Sequence, residues 1–137
     1  MLSYSLQIVT PDGLLYDDEA IMLRARTIEG NVGIRARHAN FATALGMGVA
    51  YIDTDETTRR YAACIGGLLA VVEGKVRLVA TTFEWAEQID IVRAKAAKEN
   101  AEAIINSDFN EQDKAVAQTR LRRAQIRISA FEQLKVE

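Results

Sequence analysis

The chain has 137 residues, of which 49% are hydrophobic and 26% charged, and its formal net charge is −2. A chain of this length forms one compact domain with at most an appendage, and it can bury roughly two thirds of its surface without disulfides or a metal. The balance of 17 basic and 19 acidic residues argues against a general nucleic-acid-binding protein, which would be strongly basic. One cysteine cannot form an internal disulfide. Because we find neither a signal peptide nor a long apolar run, we expect a soluble intracellular protein that reaches a membrane only peripherally.

The first 80 residues have the composition of a β-structure. All eight glycines and the only proline lie there, between short runs rich in Val, Ile, Leu and Tyr. Apolar and polar residues alternate in the first such runs, and turns are expected at Pro11-Asp12-Gly13 and Glu29-Gly30-Asn31. The predicted strands are Leu2–Ile8, Ile21–Arg26, Val49–Ile52, Thr58–Ile65, Leu68–Val72 and Val76–Ala80. We expect Gly66-Gly67 to break a strand and Glu73-Gly74 to form a tight hairpin turn.

The remainder of the chain has the composition of helices. From Ile89 onward there is no glycine or proline, and Asp90 is placed to cap the first helix. Asn106–Asn110 is a short polar connector, so the two helices should be antiparallel neighbours. Apolar positions recur at helical spacing on both sides of it, at Ala94, Ala97, Ala101 and Ile104 and at Ala117, Leu121, Ala124, Ile128 and Phe131.

These patterns predict an α+β protein in two parts. Residues 1–86 should form an N-terminal antiparallel β-sandwich, and residues 87–137 a C-terminal antiparallel two-helix hairpin. The seam between the helices is mostly alanine, and four buried methyls at about 0.8 kcal/mol each give roughly 3 kcal/mol before entropy is subtracted. Such a hairpin is marginal by itself, so a partner or a ligand could change its state.

Four fragments stand in a recognisable order along the chain. They are Thr10-Pro11-Asp12-Gly13, Gly30-Asn31-Val32-Gly33-Ile34 with His38-Ala39, Gly66-Gly67-Leu68, and Leu78-Val79-Ala80 followed by Glu84 to Asp90. Together they resemble the epsilon subunit of the F-type rotary ATP synthase over nearly the whole chain. One departure stands out, because the family usually has a Pro-Gly pair before the histidine and a proline after it, where this chain has Ala36-Arg37 and Asn40.

The resemblance implies a non-catalytic subunit of the rotor. In that family the β-sandwich binds the gamma subunit and the c-ring, and the hairpin either folds onto the sandwich or extends toward the α and β subunits, where it blocks ATP hydrolysis. The implied location is the cytoplasmic face of the bacterial plasma membrane, held there through the complex, with no nucleic acid as partner. The alternative is a stand-alone module that binds a nucleotide or another small ligand, and no acid–base pair or activated nucleophile supports an enzyme.

The resemblance also implies a regulatory ATP site, with no obligatory cofactor and no metal. The run from Ile89 to Ala94 matches the Ile/Leu-Asp-x-x-Arg-Ala motif of ATP-binding members. The implied ligand residues are Glu84, Ile89, Asp90, Arg93, Ala94, Arg123 and Arg127. Because Arg123 and Arg127 are one helical turn apart, their guanidiniums could share a phosphate. Three interpretations of these arginines remain open at this point: a nucleotide site, a solvated face, or a docking strip for an acidic loop of the β subunit.

A second set of residues is implied in contacts with other subunits. It comprises Glu29, Gly30, Asn31, Val32, Gly33 and His38, which lie in and after the glycine-rich loop. His38 is the only histidine, so we expect a loop or interface role for it and not a metal site. Arg35 and Arg37 either serve acidic groups of a neighbour or lipid, or are simply solvated. Cys64 should be a small buried apolar residue.

Overall fold

The computed structural model describes residues 1–135, in which seven strands precede two helices. Residues 136 and 137, the last two of the predicted hairpin domain, lie outside the described part. The strands are β1 (Tyr4–Thr10), β2 (Gly13–Ala20), β3 (Met22–Thr27), β4 (Gly30–Ile34), β5 (Phe41–Asp53), β6 (Arg59–Val72) and β7 (Lys75–Trp85). The helices are α1 (Ile91–Ile105) and α2 (Glu111–Glu132), with single 3₁₀ turns at Ala86–Gln88 and Gln133–Lys135. The predicted fold class, a β-sandwich followed by a helical hairpin, is confirmed.

The strands form one continuous hydrogen-bonded sheet in the order β2-β1-β7-β6-β5-β3-β4. All neighbouring pairs are antiparallel except β1 and β7, which are parallel. Sequence reasoning missed β2 and β4 and placed the start of β5 too late, at Val49. The physical reason is that both are edge strands with little apolar pattern: β2 has mostly solvated side chains, and β4 is five residues long with just two core-facing side chains, Val32 and Ile34.

The predicted break at Gly66-Gly67 is wrong, because β6 continues through both glycines. Before them the even-numbered residues Ala62 and Cys64 face the main core, and after them the odd-numbered Leu69 and Val71 do so. A strand has a side-chain period of two, so this change of face requires an irregularity between the two segments. Gly66 and Gly67 supply it with φ values of 70° and 122°.

The same change of face occurs in both neighbouring strands. In β5 the core residue Leu45 is followed by Ala50 and Ile52, and in β7 Ala80 is followed by Phe83. Three long strands therefore change face together, which lets one sheet enclose a core from two sides. Cys64 is buried in that core, as predicted, and burial raises the pKa of its thiol to about 12.

The hairpin is folded onto the sandwich. Its contact is a small apolar cluster in which Ala130 and its neighbours on α2 rest on the outer face of β5 and β6 and on the connector before α1. The buried members are Ala63, Ala86, Ile89 and Ala130, and Val49, Tyr61, Ile126 and Phe131 pack around them. The described chain contains no helix both long and apolar enough to cross a bilayer.

The helix caps and most of the predicted seam are as expected. The Asp90 side chain accepts a hydrogen bond of 3.1 Å from the backbone N–H of Arg93, and Asn110 caps α2 in the same way. The seam buries Ala94 and Ala101 of α1 and Ala117 and Ala124 of α2. Ala97 is exposed, contrary to the predicted stripe, because it lines an open cavity.

Candidate functional site

A cavity of about 660 Å³ opens between β7, residues 88–90 before α1, and both helices. All seven residues predicted as ATP ligands line it: Glu84, Ile89, Asp90, Arg93, Ala94, Arg123 and Arg127. The other lining residues are Thr82, Gln88, Ala97, Asn100, Ala101, Ile104, Arg120 and Ala124. The volume lies within the range of about 300–1,000 Å³ that is usual for small-molecule sites.

The local sequence explains why the side chains of each wall face the cavity. In β7, Phe83 and Trp85 enter the core, so the intervening Glu84 points to the opposite face, toward the hairpin. Asp90 must stand at the start of α1 to cap it, which places Arg93 in the first helical turn beside the cavity. On α2, spacings of three and four residues put Arg120, Arg123 and Arg127 on one face.

The charges of the cavity are unbalanced. Its lining holds four arginines against two carboxylates. Glu84 accepts a 2.6 Å hydrogen bond from Nε of Arg127, forming an ion pair, and Asp90 is engaged in capping α1. Within residues 1–135, Arg93, Arg120 and Arg123 form no ion pair. Three unpaired guanidiniums around partly apolar walls suit an anion that also carries an apolar portion.

Sequence reasoning missed some polar residues of this site. Arg120, Asn100 and Thr82 line the cavity but lie outside the family motif. Arg120 could have been found from its spacing, since it precedes Arg123 by three residues and Arg127 by seven. Thr82 shares the outward face of β7 with Glu84 by alternation. Nothing in the sequence pointed to Asn100, whose place on the cavity wall depends on how α1 packs.

The predicted subunit-contact residues lie in two segments. Glu29 ends the β3–β4 turn and Gly30, Asn31, Val32 and Gly33 belong to β4, whereas His38 lies in the loop before β5. Thr27 holds the turn, because its hydroxyl donates to the carbonyl of Gly30 at 2.8 Å and accepts from the N–H of Glu29 at 3.1 Å.

The loop around His38 is held by a ring contact and by a hydrogen bond to the β6–β7 turn. The His38 ring lies 5.1 Å from that of Phe41. Where the family has a proline, Asn40 instead accepts a 2.8 Å hydrogen bond from the N–H of Glu73, which joins this loop to the β6–β7 turn. Arg37, which stands where the family has the glycine of its Pro-Gly pair, has a φ of 66°, in the left-handed region that favours glycine.

An apolar row crosses the face of the sandwich on neighbouring strands. Leu14 of β2 pairs with Val9 of β1, Val9 with Val79 of β7, and Val79 with Leu68 of β6. Leu14, Leu68 and Val79 are 55%, 61% and 41% exposed. We call these four residues the apolar row. Contiguous exposed apolar side chains of this kind mark interaction surfaces.

Comparison with known proteins covers nearly the whole chain. The family described as "ATP synthase, Delta/Epsilon chain, beta-sandwich domain" matches residues 3–86, and "ATP synthase, Delta/Epsilon chain, long alpha-helix domain" matches residues 87–132. An ATP synthase epsilon chain of Syntrophomonas wolfei subsp. wolfei is 38% identical over 130 residues, 95% of each chain. One from Caldicellulosiruptor bescii is 33% identical over 137 residues, covering 100% of this chain and 99% of that one.

Two solved structures share the fold at lower identity. A chain in the Euglena gracilis mitochondrial ATP synthase has a TM-score of 0.74 at 22% identity, covering 98% of this chain and 80% of that chain. A chain in the Tetrahymena thermophila mitochondrial ATP synthase central stalk and c-ring has a TM-score of 0.62 at 15% identity, covering 93% and 95%. At these identities the likeness concerns the arrangement of strands and helices.

Proposed function

Since the chain belongs to the ATP synthase delta/epsilon chain family, as an epsilon subunit of the F-type enzyme, we propose that it is a non-catalytic part of the rotor. In this proposal it couples the membrane ring of c subunits to the catalytic head and regulates ATP hydrolysis. It stays peripheral to the membrane, at the cytoplasmic face of the bacterial plasma membrane, through the complex. The likeness to a chain of the Tetrahymena assembly, which comprises a central stalk and c-ring, supports this place in the complex.

In this proposal the sandwich, residues 1–86, binds the gamma subunit and the c-ring. The apolar row favours a partner with a large apolar surface, because Leu14, Leu68 and Val79 are exposed on the sandwich face. We assign that row to gamma, and the segment from Glu29 to Gly33 together with His38 to the c-ring.

Copurification with gamma tests the assignment. Leu68→Asp should weaken gamma binding by about tenfold or more, since it places a charge in an apolar interface. The control Val116→Asp alters another exposed apolar residue, on α2, and should leave binding unchanged. If the unaltered chain elutes apart from gamma at low micromolar concentration, the rotor assignment fails and the stand-alone nucleotide-binding module is favoured.

In this proposal the hairpin, residues 87–137, is the regulatory element and ATP is its ligand. The observation that carries the ATP assignment is that one cavity brings together Glu84 of β7, Arg93 of α1 and Arg123 of α2, with the other four predicted ligand residues. A ligand there contacts both helices and the sandwich, so it stabilises the folded hairpin against the extended, inhibitory form that reaches the α and β subunits. At 100 times its dissociation constant it would add about 2.7 kcal/mol.

Titration calorimetry of the full chain with ATP tests the ligand. We expect saturable binding that is weakened about tenfold or more by Arg93→Ala and by Arg123→Ala, because each removes a charged hydrogen-bond donor. Arg122→Ala is the matched control, since Arg122 is adjacent and exposed but does not line the cavity. Equal binding by all four proteins would overturn the assignment, and no heat with the unaltered chain would leave the β-subunit docking strip as the role of these arginines.

A further inference from the structure

A second groove, of about 470 Å³, lies on the outer face of the sandwich beside the end of α2. Its floor comes from β3, β4, β5 and β6, and Gln133 at the end of α2 forms part of its rim. The ATP cavity lies on the β7 side of the docked helix end and this groove lies on the β3 side. The two sites share no lining residue.

The polar lining of the groove is cationic or neutral. Arg24 and Arg26 stand two residues apart on β3, so both project from its outer face. Neither forms an ion pair in the described part of the chain. The remaining polar groups of the lining belong to Asn31, Tyr51, Tyr61 and Gln133, so residues 1–135 contribute no carboxylate to it. Such a site favours an anion.

The aromatic side of the groove is held in place by its neighbours. Arg24 pairs across the strands with Tyr51, and Tyr51 pairs with Tyr61, whose ring centre is 6.0 Å away. The guanidinium of Arg59 lies 3.9 Å above the Tyr51 ring, and Asp53 accepts hydrogen bonds of 2.7 and 3.0 Å from it. Tyr51 is thus fixed before any ligand arrives, which lowers the entropic cost of binding.

Gly48 leaves the space that the Arg26 side chain occupies beside the groove. A Cβ atom at Gly48 would lie 2.9 Å from Cβ of Arg26 and 3.2 Å from its Cδ. Contacts that short would displace the Arg26 side chain. Glycine at this position lets the side chain cross β5 closely, so that its guanidinium can act together with that of Arg24.

We propose that this groove binds a phosphate group, held mainly by Arg24 and Arg26. Two guanidinium forks offer paired donors to the several oxygens of a phosphate, and neutral amide and hydroxyl groups beside them complete the shell. Because Gln133 lines the groove only while α2 is docked, binding there favours the folded hairpin. The groove is distinct from the ATP cavity, since the residues of the two sites do not overlap, and ligands in the two sites would both favour the folded hairpin.

Nuclear magnetic resonance titration of the full chain with pyrophosphate tests the site, with the amide signals of Tyr51 and Gln133 as reporters. We expect saturable shifts there, and the double substitution Arg24→Gln with Arg26→Gln should weaken binding about tenfold or more. The charge-matched control, Arg35→Gln with Arg37→Gln, alters an exposed loop and should retain the shifts. Arg123→Ala should retain them too, which separates this site from the ATP cavity. Shifts that are absent, confined to the cavity, or unaffected by the Arg24 and Arg26 changes would overturn the proposal.

Two further measurements test the linkage and identify the source of the phosphate. At ten times its dissociation constant, pyrophosphate should slow amide exchange through hairpin release at Ile126 and Ala130 by about elevenfold, and an unchanged rate would refute the linkage. Sedimentation with phosphatidylglycerol vesicles, compared with phosphatidylcholine vesicles, separates the sources. Binding to the former that requires Arg24 and Arg26 assigns a lipid headgroup, and its absence alongside pyrophosphate binding assigns a soluble phosphate.

Discussion

Glu84 and Arg127, which are 43 residues apart in the sequence, meet at the cavity, where Nε of Arg127 donates a 2.6 Å hydrogen bond to Oε1 of Glu84. One belongs to β7 and the other to α2, so this ion pair joins the hairpin to the sandwich. The family resemblance predicts both as ligand residues, outside the motif itself. In the folded hairpin they bind each other, and a bound nucleotide would have to accommodate that pair.

The first prediction concerns how much the Glu84–Arg127 ion pair stabilises the folded protein. Both side chains are about a third exposed, which limits the pair to about 0.5 kcal/mol of coupling. Glu84→Gln and Arg127→Gln, alone and together, form a double-mutant cycle that can be measured by urea unfolding. The control cycle pairs Glu84→Gln with Arg122→Gln, which does not line the cavity. Coupling no larger than in that control would mean that the pair contributes nothing to holding the hairpin.

The second prediction concerns the apolar contact that docks α2. Ala130 is fully buried against the sandwich in a cluster with Ala63 and Ile89. Ala130→Glu would bury an unpaired charge there at a cost of several kcal/mol, which the chain avoids when α2 leaves the sandwich. We therefore expect the hairpin to undock while the sandwich stays folded.

Hydrogen exchange resolved by residue would measure this release. In Ala130→Glu, protection should fall in α1 and α2 and persist in β6 around Leu69. Ser129→Glu introduces the same charge at the adjacent exposed position and should preserve protection of both helices. Uniform protection in the Ala130 variant would show that the docking contact tolerates a charge and that the hairpin is held elsewhere.

The features that could be predicted from sequence are the ones set by local chemistry. Asp90 caps α1 because a carboxylate before an apolar periodic run satisfies free N–H groups. Glu73 and Gly74 form the predicted hairpin turn, with φ values of 50° and 80°. In both cases the residues that decide the conformation lie within a few positions of one another.

The features that escaped prediction depend on residues far apart in the chain. The parallel pairing of β1 with β7 joins Leu6 to Val76 and leaves no local pattern. The Gly66-Gly67 pair has the composition of a turn, and only its neighbours in β5 and β7 keep the strand continuous. The seven predicted ligand residues came from family resemblance, because spacing alone links only those on the same helix.

The third prediction concerns acid stability through Glu87. Burial is the largest single influence on this carboxyl and opposes its ionisation. The 2.6 Å hydrogen bond from Arg60, a backbone hydrogen bond and the charge of Arg60 together outweigh burial and hold the pKa of Glu87 below its ordinary value of 4.5. A carboxylate with a lowered pKa stabilises the folded state above its unfolded pKa, and this contribution is lost as the pH falls through the folded pKa. The loss therefore begins near pH 4.5 and continues below it.

Urea unfolding at pH 6 and at pH 3.5 would measure this contribution. Glu87→Gln should be less stable than the unaltered chain at pH 6 by at most about 1 kcal/mol, since the pair is partly exposed, and the difference should shrink at pH 3.5. Asp55, whose pKa is lowered by hydrogen bonds from Thr57, titrates in the same range in both proteins and cancels in the comparison. A difference that is the same at both pH values would contradict the assignment.

The fourth prediction concerns the bend at which the long strands change face. A Cβ atom at Gly67 would lie 2.0 Å from the carbonyl oxygen of Val79, and its φ of 122° disfavours any side chain. Gly67→Ala should therefore cost about 3 kcal/mol or more in urea unfolding, because both backbones must move. Gly13→Ala is the matched control: its φ is 118°, but nothing lies within 4 Å of a Cβ there, so it should cost only about 1 kcal/mol of backbone strain. Equal costs at the two positions would show that the positive φ of Gly67 alone, and not the close packing of β6 against β7, requires glycine at the bend.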